Sequence, residues 1–153
     1  DLKPSNVLLT NNLMPKLADF GLSCEEEREA DGLMTMAGTP LFAAPEVLRG
    51  ETYTRSIDVW SFGCVIACLD SRRSSPYWLE PTPHTSQIAQ GLVTPQMPMD
   101  SPLHKLLAVC CTHVARARPT FLNVLEQLQQ PEVERSVLHR DYAESLASEI
   151  HST

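Results

Sequence analysis

Between Ser56 and Leu69 the chain reads SIDVWSFGCVIACL, apolar on nearly every face of the helix it would form. A surface helix keeps one polar side, whereas a helix without one has to be enclosed from all directions. The rest of the chain must therefore supply elements that wrap this segment, which is predicted as a central helix. It is not a membrane span. The longest apolar stretch, Val59 to Leu69, is interrupted by Ser61 and Gly63 and falls far short of the roughly 20 residues needed to cross a bilayer. With 42% apolar residues in 153, enough is left over to build the enclosure.

The flanking sequence is divided by its own turn formers. Val7-Leu8-Leu9 and the run ending at Leu17-Ala18 stand on either side of Asn11-Asn12 and predict a small hairpin. Residues 19–45 show no sustained periodicity and carry Glu25-Glu26-Glu27-Arg28-Glu29, Gly32, Gly38 and Pro40, so a long exposed loop is expected, of the kind that usually serves function. Pro76, Pro81, Pro83, Pro95, Pro98 and Pro102 leave room for one short helix near Ser86–Gly91. Leu103, Leu106, Leu107, Val109 and Cys110 mark an amphipathic helix after Ser101. Phe121, Val124, Leu125 and Leu128 mark another after Pro119, ended by Pro131. Helical spacing returns at Val133, Val137, Leu138, Tyr142 and Leu146 in a polar tail.

Charge and cysteine usage exclude several classes of function. Twelve basic residues against 19 acidic ones give a net charge of −7, which rules against a general electrostatic grip on nucleic acid or anionic lipid. The five cysteines, at 24, 64, 68, 110 and 111, are odd in number and contain no pair of CxxC units, so they fit neither a disulfide framework nor a structural zinc site. A reducing, cytoplasmic setting is expected. Cys64 and Cys68, one helical turn apart, and Cys110-Cys111 in an apolar helix are expected to be buried packing residues.

Phosphoryl transfer from a nucleotide needs a carboxylate to orient the attacking hydroxyl, oxygen ligands for magnesium, and a cation for the phosphates. Asp1-Leu2-Lys3-Pro4-Ser5-Asn6 offers all three types within six residues, and Asp19-Phe20-Gly21 adds a second carboxylate on a turn 13 residues beyond Asn6. Taken alone, the first run would pass for an ordinary turn. Together the two runs resemble the end of the catalytic loop and the metal-binding triplet of the eukaryotic protein kinases. Gly38-Thr39-Pro40-Leu41-Phe42-Ala43-Ala44-Pro45-Glu46 resembles the end of their activation segment. Asp58-Val59-Trp60-Ser61-Phe62-Gly63 resembles the start of their buried helix, and Arg116-Ala117-Arg118-Pro119-Thr120-Phe121 the segment whose arginine pairs with the glutamate of Ala-Pro-Glu.

The resemblance implies a mainly α fold: a protein-kinase-like C-terminal lobe over 1–130 with a short β-hairpin and a long activation loop, then a tail over 131–153. It implies a protein serine/threonine kinase of the tyrosine-kinase-like group, with ATP and Mg2+ as cofactors and protein substrates as partners. Asp1 would be the catalytic base, Lys3 the cation on the transferred phosphate, and Thr39 a contact to both. Asn6 and Asp19 would be the magnesium ligands and Leu8 the floor under the adenine ring. Asp58 would fix the catalytic loop, Glu46 and Arg118 would form a buried ion pair, and Thr35 is the favoured phosphorylation position.

The sequence departs from that family in what it lacks. No Gly-x-Gly-x-x-Gly occurs, and none of Lys3, Lys16 and Lys105 lies in a Val-Ala-Ile-Lys-like strand, so the N-terminal lobe is absent and an upstream one is expected to be required. The opening residues resemble no signal peptide, and the natural start is expected upstream of Asp1. His139-Arg140-Asp141 imitates a catalytic triplet, but Leu146 stands where the family needs its metal-binding Asn, which makes it an exposed charged turn. The run Glu25 to Asp31 is first a solvated loop, with imitation of phosphorylation's negative charge as the alternative. The competing functional readings are a pseudokinase or scaffold binding module, and a helical interaction domain without catalysis. The last leaves the spacing of the aspartates unexplained.

Overall fold

The computed structural model describes residues 1–23, 39–78, 83–134 and 136–137, and the chain divides into two units, Asp1–Pro119 and Thr120–Thr153. The first unit holds an antiparallel hairpin, β1 (Val7–Leu9) and β2 (Pro15–Leu17). Among its described residues it also holds four helices: α1 (Pro45–Leu48), α2 (Ser56–Ser71), α3 (Thr85–Ala89) and α4 (His104–Cys110). The second contains α5 (Phe121–Leu128). Short 3-10 turns lie at Pro4–Asn6, Pro40–Phe42 and Ala115–Ala117. The described residues are mostly helical with one small sheet, as the sequence pattern requires.

The central helix is enclosed as its composition demands. Val59, Trp60, Ser61, Gly63, Cys64, Val65, Ile66, Ala67 and Cys68 of α2 are all buried, which covers every face of the helix over those turns. Enclosure stops one residue earlier than the apolar run, since Leu69 is exposed. Arg72 then closes the helix in the left-handed region, its N–H reaching the Cys68 and Leu69 carbonyls. Gly63 explains how α4 comes so close: a Cβ there would lie 2.5 Å from Cys111 Sγ and 3.1 Å from Cys110 Cβ. The thiols pack as expected. Cys64, Cys68, Cys110 and Cys111 are free and buried, and burial pushes the Cys68 thiol up to about 11 and the Cys110 thiol to about 12.

The hairpin pairs Val7 with Leu17, Leu8 with Lys16 and Leu9 with Pro15. Its turn is tied by Thr10, whose N–H donates to the Met14 carbonyl at 3.0 Å and whose Oγ1 accepts the Met14 N–H at 3.1 Å. Leu8, Leu9, Leu13, Met14 and Leu17 all remain exposed, so the hairpin presents an apolar surface rather than burying one.

Among its described residues the proline-rich connection contains one short helix, α3, as expected. Gly91, at φ 73, turns the chain away in a conformation that disfavours side chains with a Cβ. In the second unit Thr120 caps α5: its Oγ1 accepts the Asn123 N–H and its N–H donates to Asn123 Oδ1, both at 3.2 Å. Pro131 separates α5 from a further helical stretch over 131–134, where the Val133 and Glu134 N–H groups bond the Gln130 carbonyl. Proline suits a first helical turn, where its N–H would have no partner. Among the described residues no helix is long and apolar enough to cross a membrane.

Candidate active site

The first six residues fold back on themselves. Lys3 is extended, the turn Pro4–Asn6 follows, and the Asn6 N–H closes on the Lys3 carbonyl at 3.0 Å. That turn carries Asn6 inward to a buried position, where Nδ2 donates to the Asp1 carbonyl at 2.8 Å and lies 3.5 Å from Asp1 Oδ2. Lys3 Nζ donates to Asp1 Oδ2 at 2.6 Å and to Thr39 Oγ1 at 3.0 Å, while the Thr39 N–H donates to Asp1 Oδ1 at 3.2 Å. Asp1, Lys3, Asn6 and Thr39 therefore meet, although Thr39 lies 38 residues from Asp1. A carboxylate held at both oxygens beside an ammonium puts an acceptor for a hydroxyl proton and a cation for an anionic group in one place.

Asp19 arrives by the hairpin. The Ala18 N–H donates to the Asn6 carbonyl at 2.9 Å, so the chain leaving β2 passes alongside Asn6. Asp19 follows at φ 60, a left-handed conformation uncommon for residues with a Cβ, and its Oδ1 accepts the Gly21 N–H at 3.3 Å. Among the described residues no hydrogen bond or ion pair joins Asp19 to Asp1, Lys3 or Asn6. Asn6 spends its amide nitrogen on Asp1 and keeps a carbonyl oxygen, and Asp19 is exposed at the surface. These are hard oxygen donors of the type magnesium takes, one or two protein ligands completed by phosphate oxygens and water. Among the described residues no group of three or more His, Cys, Asp or Glu could hold a metal unaided. Leu8 is exposed on β1, and Phe20 beside Asp19 is exposed as well.

Two buried anchors set the position of Thr39. Ser61 Oγ, on the enclosed helix α2, donates to the Phe42 carbonyl at 2.8 Å and so fixes the turn Pro40–Phe42 that directly follows Thr39. Four residues beyond Phe42, Glu46 meets Arg118 in a sealed bidentate pair, Nη1 to Oε1 at 2.5 Å and Nη2 to Oε2 at 2.8 Å. Two further guanidinium N–H groups reach the Thr112 carbonyl at 2.9 Å and the Ser56 carbonyl at 3.1 Å, and the group stacks 5.1 Å from the Trp60 ring centroid. Asp58 stands on the first turn of α2 with much of its surface in solvent. The protein atoms crowded about its carboxyl raise its pKa. Among the described residues no hydrogen bond joins Asp58 to the backbone of residues 1–6.

Two contributors escaped the sequence reading. In the sequence Ser61 interrupts an apolar run and belongs to a motif without a role of its own, yet a lone polar residue in an enclosed helix has to bond something, and that is its signal. His113 has no neighbour at ligand spacing in the sequence that would mark it. Its ring packs edge-on to Trp60 at 5.3 Å, beneath Gly91, where a Cβ would come within 3.2 Å of it. Burial, and then the positive charge of Arg118 and Arg49, hold its pKa below the ordinary histidine value. Thr35, Gly38, Cys24, the acidic run from Glu25 to Asp31 and His139-Arg140-Asp141 lie outside the described residues.

Comparison with known proteins identifies the family. The family model described as the protein kinase domain matches residues 1–129. The chain is 35% identical over 131 residues to the Dictyostelium discoideum protein named "Probable serine/threonine-protein kinase drkA", covering 84% of this chain and 20% of that protein. It is 35% identical over 136 residues to "Dual specificity protein kinase shkA" of the same organism, covering 85% of this chain and 26% of that protein. The chain thus spans about a quarter or less of the length of these two relatives.

Proposed function

This chain belongs to the protein kinase family, and from that premise we propose that it supplies the transfer and metal-binding groups of a serine/threonine kinase. The protein containing it moves the γ-phosphate of ATP to serine and threonine hydroxyls of protein substrates. One observation carries the reading: Asp1, Lys3 and Thr39 meet in a single hydrogen-bonded group across 38 residues of chain. Asp1 accepts the hydroxyl proton and aims the oxygen, Lys3 offsets charge on the phosphate, and Thr39 holds the other oxygen of Asp1. Asn6 and Asp19 would hold Mg2+, which when bound supplies neutralisation of the phosphate oxygens. Leu8 forms part of the floor of the nucleotide site.

The exposed apolar hairpin surface supports a second element of the proposal, that another lobe of the protein covers it and delivers the nucleotide. By this reading the 153-residue chain transfers no phosphate by itself. An intracellular setting goes with an ATP-dependent reaction and free buried thiols.

The test uses the whole protein with magnesium, labelled ATP and a generic protein acceptor. Asp1→Asn should lower transfer by about 10²–10⁴-fold, the usual weight of a positioned general base. Asp19→Ala should abolish magnesium-dependent nucleotide binding, with circular dichroism confirming that both variants fold. Transfer unchanged in Asp1→Asn overturns the assignment. Nucleotide binding without any transfer in the parent would favour a scaffold.

A further inference from the structure

The turn leaving α2 carries the chain's single adjacent pair of Lys or Arg residues, Arg72-Arg73, followed by Ser74, Ser75 and Pro76. Arg72, at φ 54 and ψ 34, swings the backbone off the helix axis, and Arg73 and Ser74 emerge exposed. The two serines that follow are not equivalent. Ser75 Oγ donates to the Tyr77 carbonyl at 3.1 Å and accepts the Tyr77 N–H at 3.2 Å, directly ahead of a buried Pro76 and a buried Tyr77. A phosphate there would break the turn that seats Tyr77 in the core. Ser74 makes no hydrogen bond among the described residues and has solvent around it.

Arg73 supplies the second observation. Its guanidinium lies over the Trp78 ring, 5.1 Å from the centroid, and both side chains are at the surface. Asp70, an acid close by in sequence, accepts a hydrogen bond from Ser101 Oγ at 3.0 Å. A phosphoserine at neutral pH carries close to two negative charges and three acceptor oxygens. Paired charge-assisted bonds to such a group outcompete a solvent-exposed stacking contact for the same guanidinium. On a chain of net charge −7, a paired cationic spot is also where an acidic substrate groove is attracted rather than repelled.

We propose that Ser74 is a phosphorylation site for a protein kinase with an acidic substrate groove, and that Arg73 leaves Trp78 to hold the phosphate once it is formed. The transfer joins Ser74 Oγ to the γ-phosphorus of ATP, breaks the bond from that phosphorus to the bridging oxygen that departs on ADP, and releases the hydroxyl proton. The geometry selects Ser74 over Ser75 only while the turn is folded.

The test incubates the full protein with Mg·ATP and an arginine-directed protein kinase and maps phosphate by mass spectrometry. Phosphate should appear on Ser74, vanish in Ser74→Ala, persist in Ser75→Ala, and form about tenfold more slowly in Arg73→Gln. The urea-denatured chain, presented to the kinase after rapid dilution, should accept phosphate at both serines. Phosphate confined to Ser75 in the folded protein, or none on Ser74, overturns the site. For the second half, phosphorus NMR of the Ser74-phosphorylated protein should show a second phosphate pKa below the ordinary value of about 6. Arg73→Gln should restore it, and Trp78 fluorescence should change on phosphorylation. A pKa indifferent to Arg73→Gln overturns the capture by Arg73.

Discussion

Two ion pairs act on the same stretch of chain, and they differ in kind. Asp1 and Lys3 pair at 2.6 Å with side chains 10% and 20% exposed, whereas Glu46 and Arg118 pair with side chains 5% and 0% exposed. The sealed pair has four of the five guanidinium N–H groups bonded, to Glu46 and two backbone carbonyls, with the Trp60 ring against its face. The open pair keeps its groups within reach of an incoming molecule. A sealed pair cannot lose a partner without leaving a charge in a dry interior, so it fixes the chain; an open pair can be resolvated, so it stabilises little and remains free for chemistry. The difference separates the residues that hold Thr39 in place from those that would act beside it.

The contrast has measurable consequences, the largest at the sealed pair. Arg118→Ala should cost about 3–5 kcal/mol, because Glu46 is left buried and alone. Urea unfolding reads this directly, and a loss below about 1 kcal/mol, the range of surface pairs, would erase the distinction between the two sites. Next comes the close contact beneath it. Gly63→Ala should cost about 1–3 kcal/mol by forcing α2 and α4 apart at Cys111, outweighing alanine's better helix propensity; a stabilised variant would show that α4 can shift without penalty.

At the open pair, Lys3→Ala should change stability by less than about 1 kcal/mol. Phosphate transfer by the whole protein should fall far more steeply than stability does. Equal losses in the two measurements would mean that Lys3 is a structural residue like Arg118. The smallest effect is one of pH. Because the folded pKa of His113 lies below its unfolded value, the unfolded chain binds more protons and stability declines as pH falls through and below about 6.5. The groups facing His113 are Arg118, Arg49, Glu46, Trp60 and Gly91. His113→Gln should flatten that part of the stability profile, and an unchanged slope would assign the acid sensitivity elsewhere.

The sequence by itself determined the enclosed helix, since an all-apolar face leaves no other arrangement. It also determined the hairpin about Asn11-Asn12 and the helix behind Thr120, because turn formers and caps act through neighbours in the chain. The motif residues were legible as residue types at set spacings. What only the tertiary structure decided was the meeting of groups far apart in sequence: Thr39 on Asp1 and Lys3, Ser61 on the Phe42 carbonyl, His113 against Trp60. It also decided that Leu69 lies outside the core that its apolar run suggested, and that the hairpin leaves its apolar side chains exposed. Periodicity reports what a residue's own helix or strand presents to its surroundings, whereas which element lies across from it depends on how the chain closes on itself, and no local pattern encodes that.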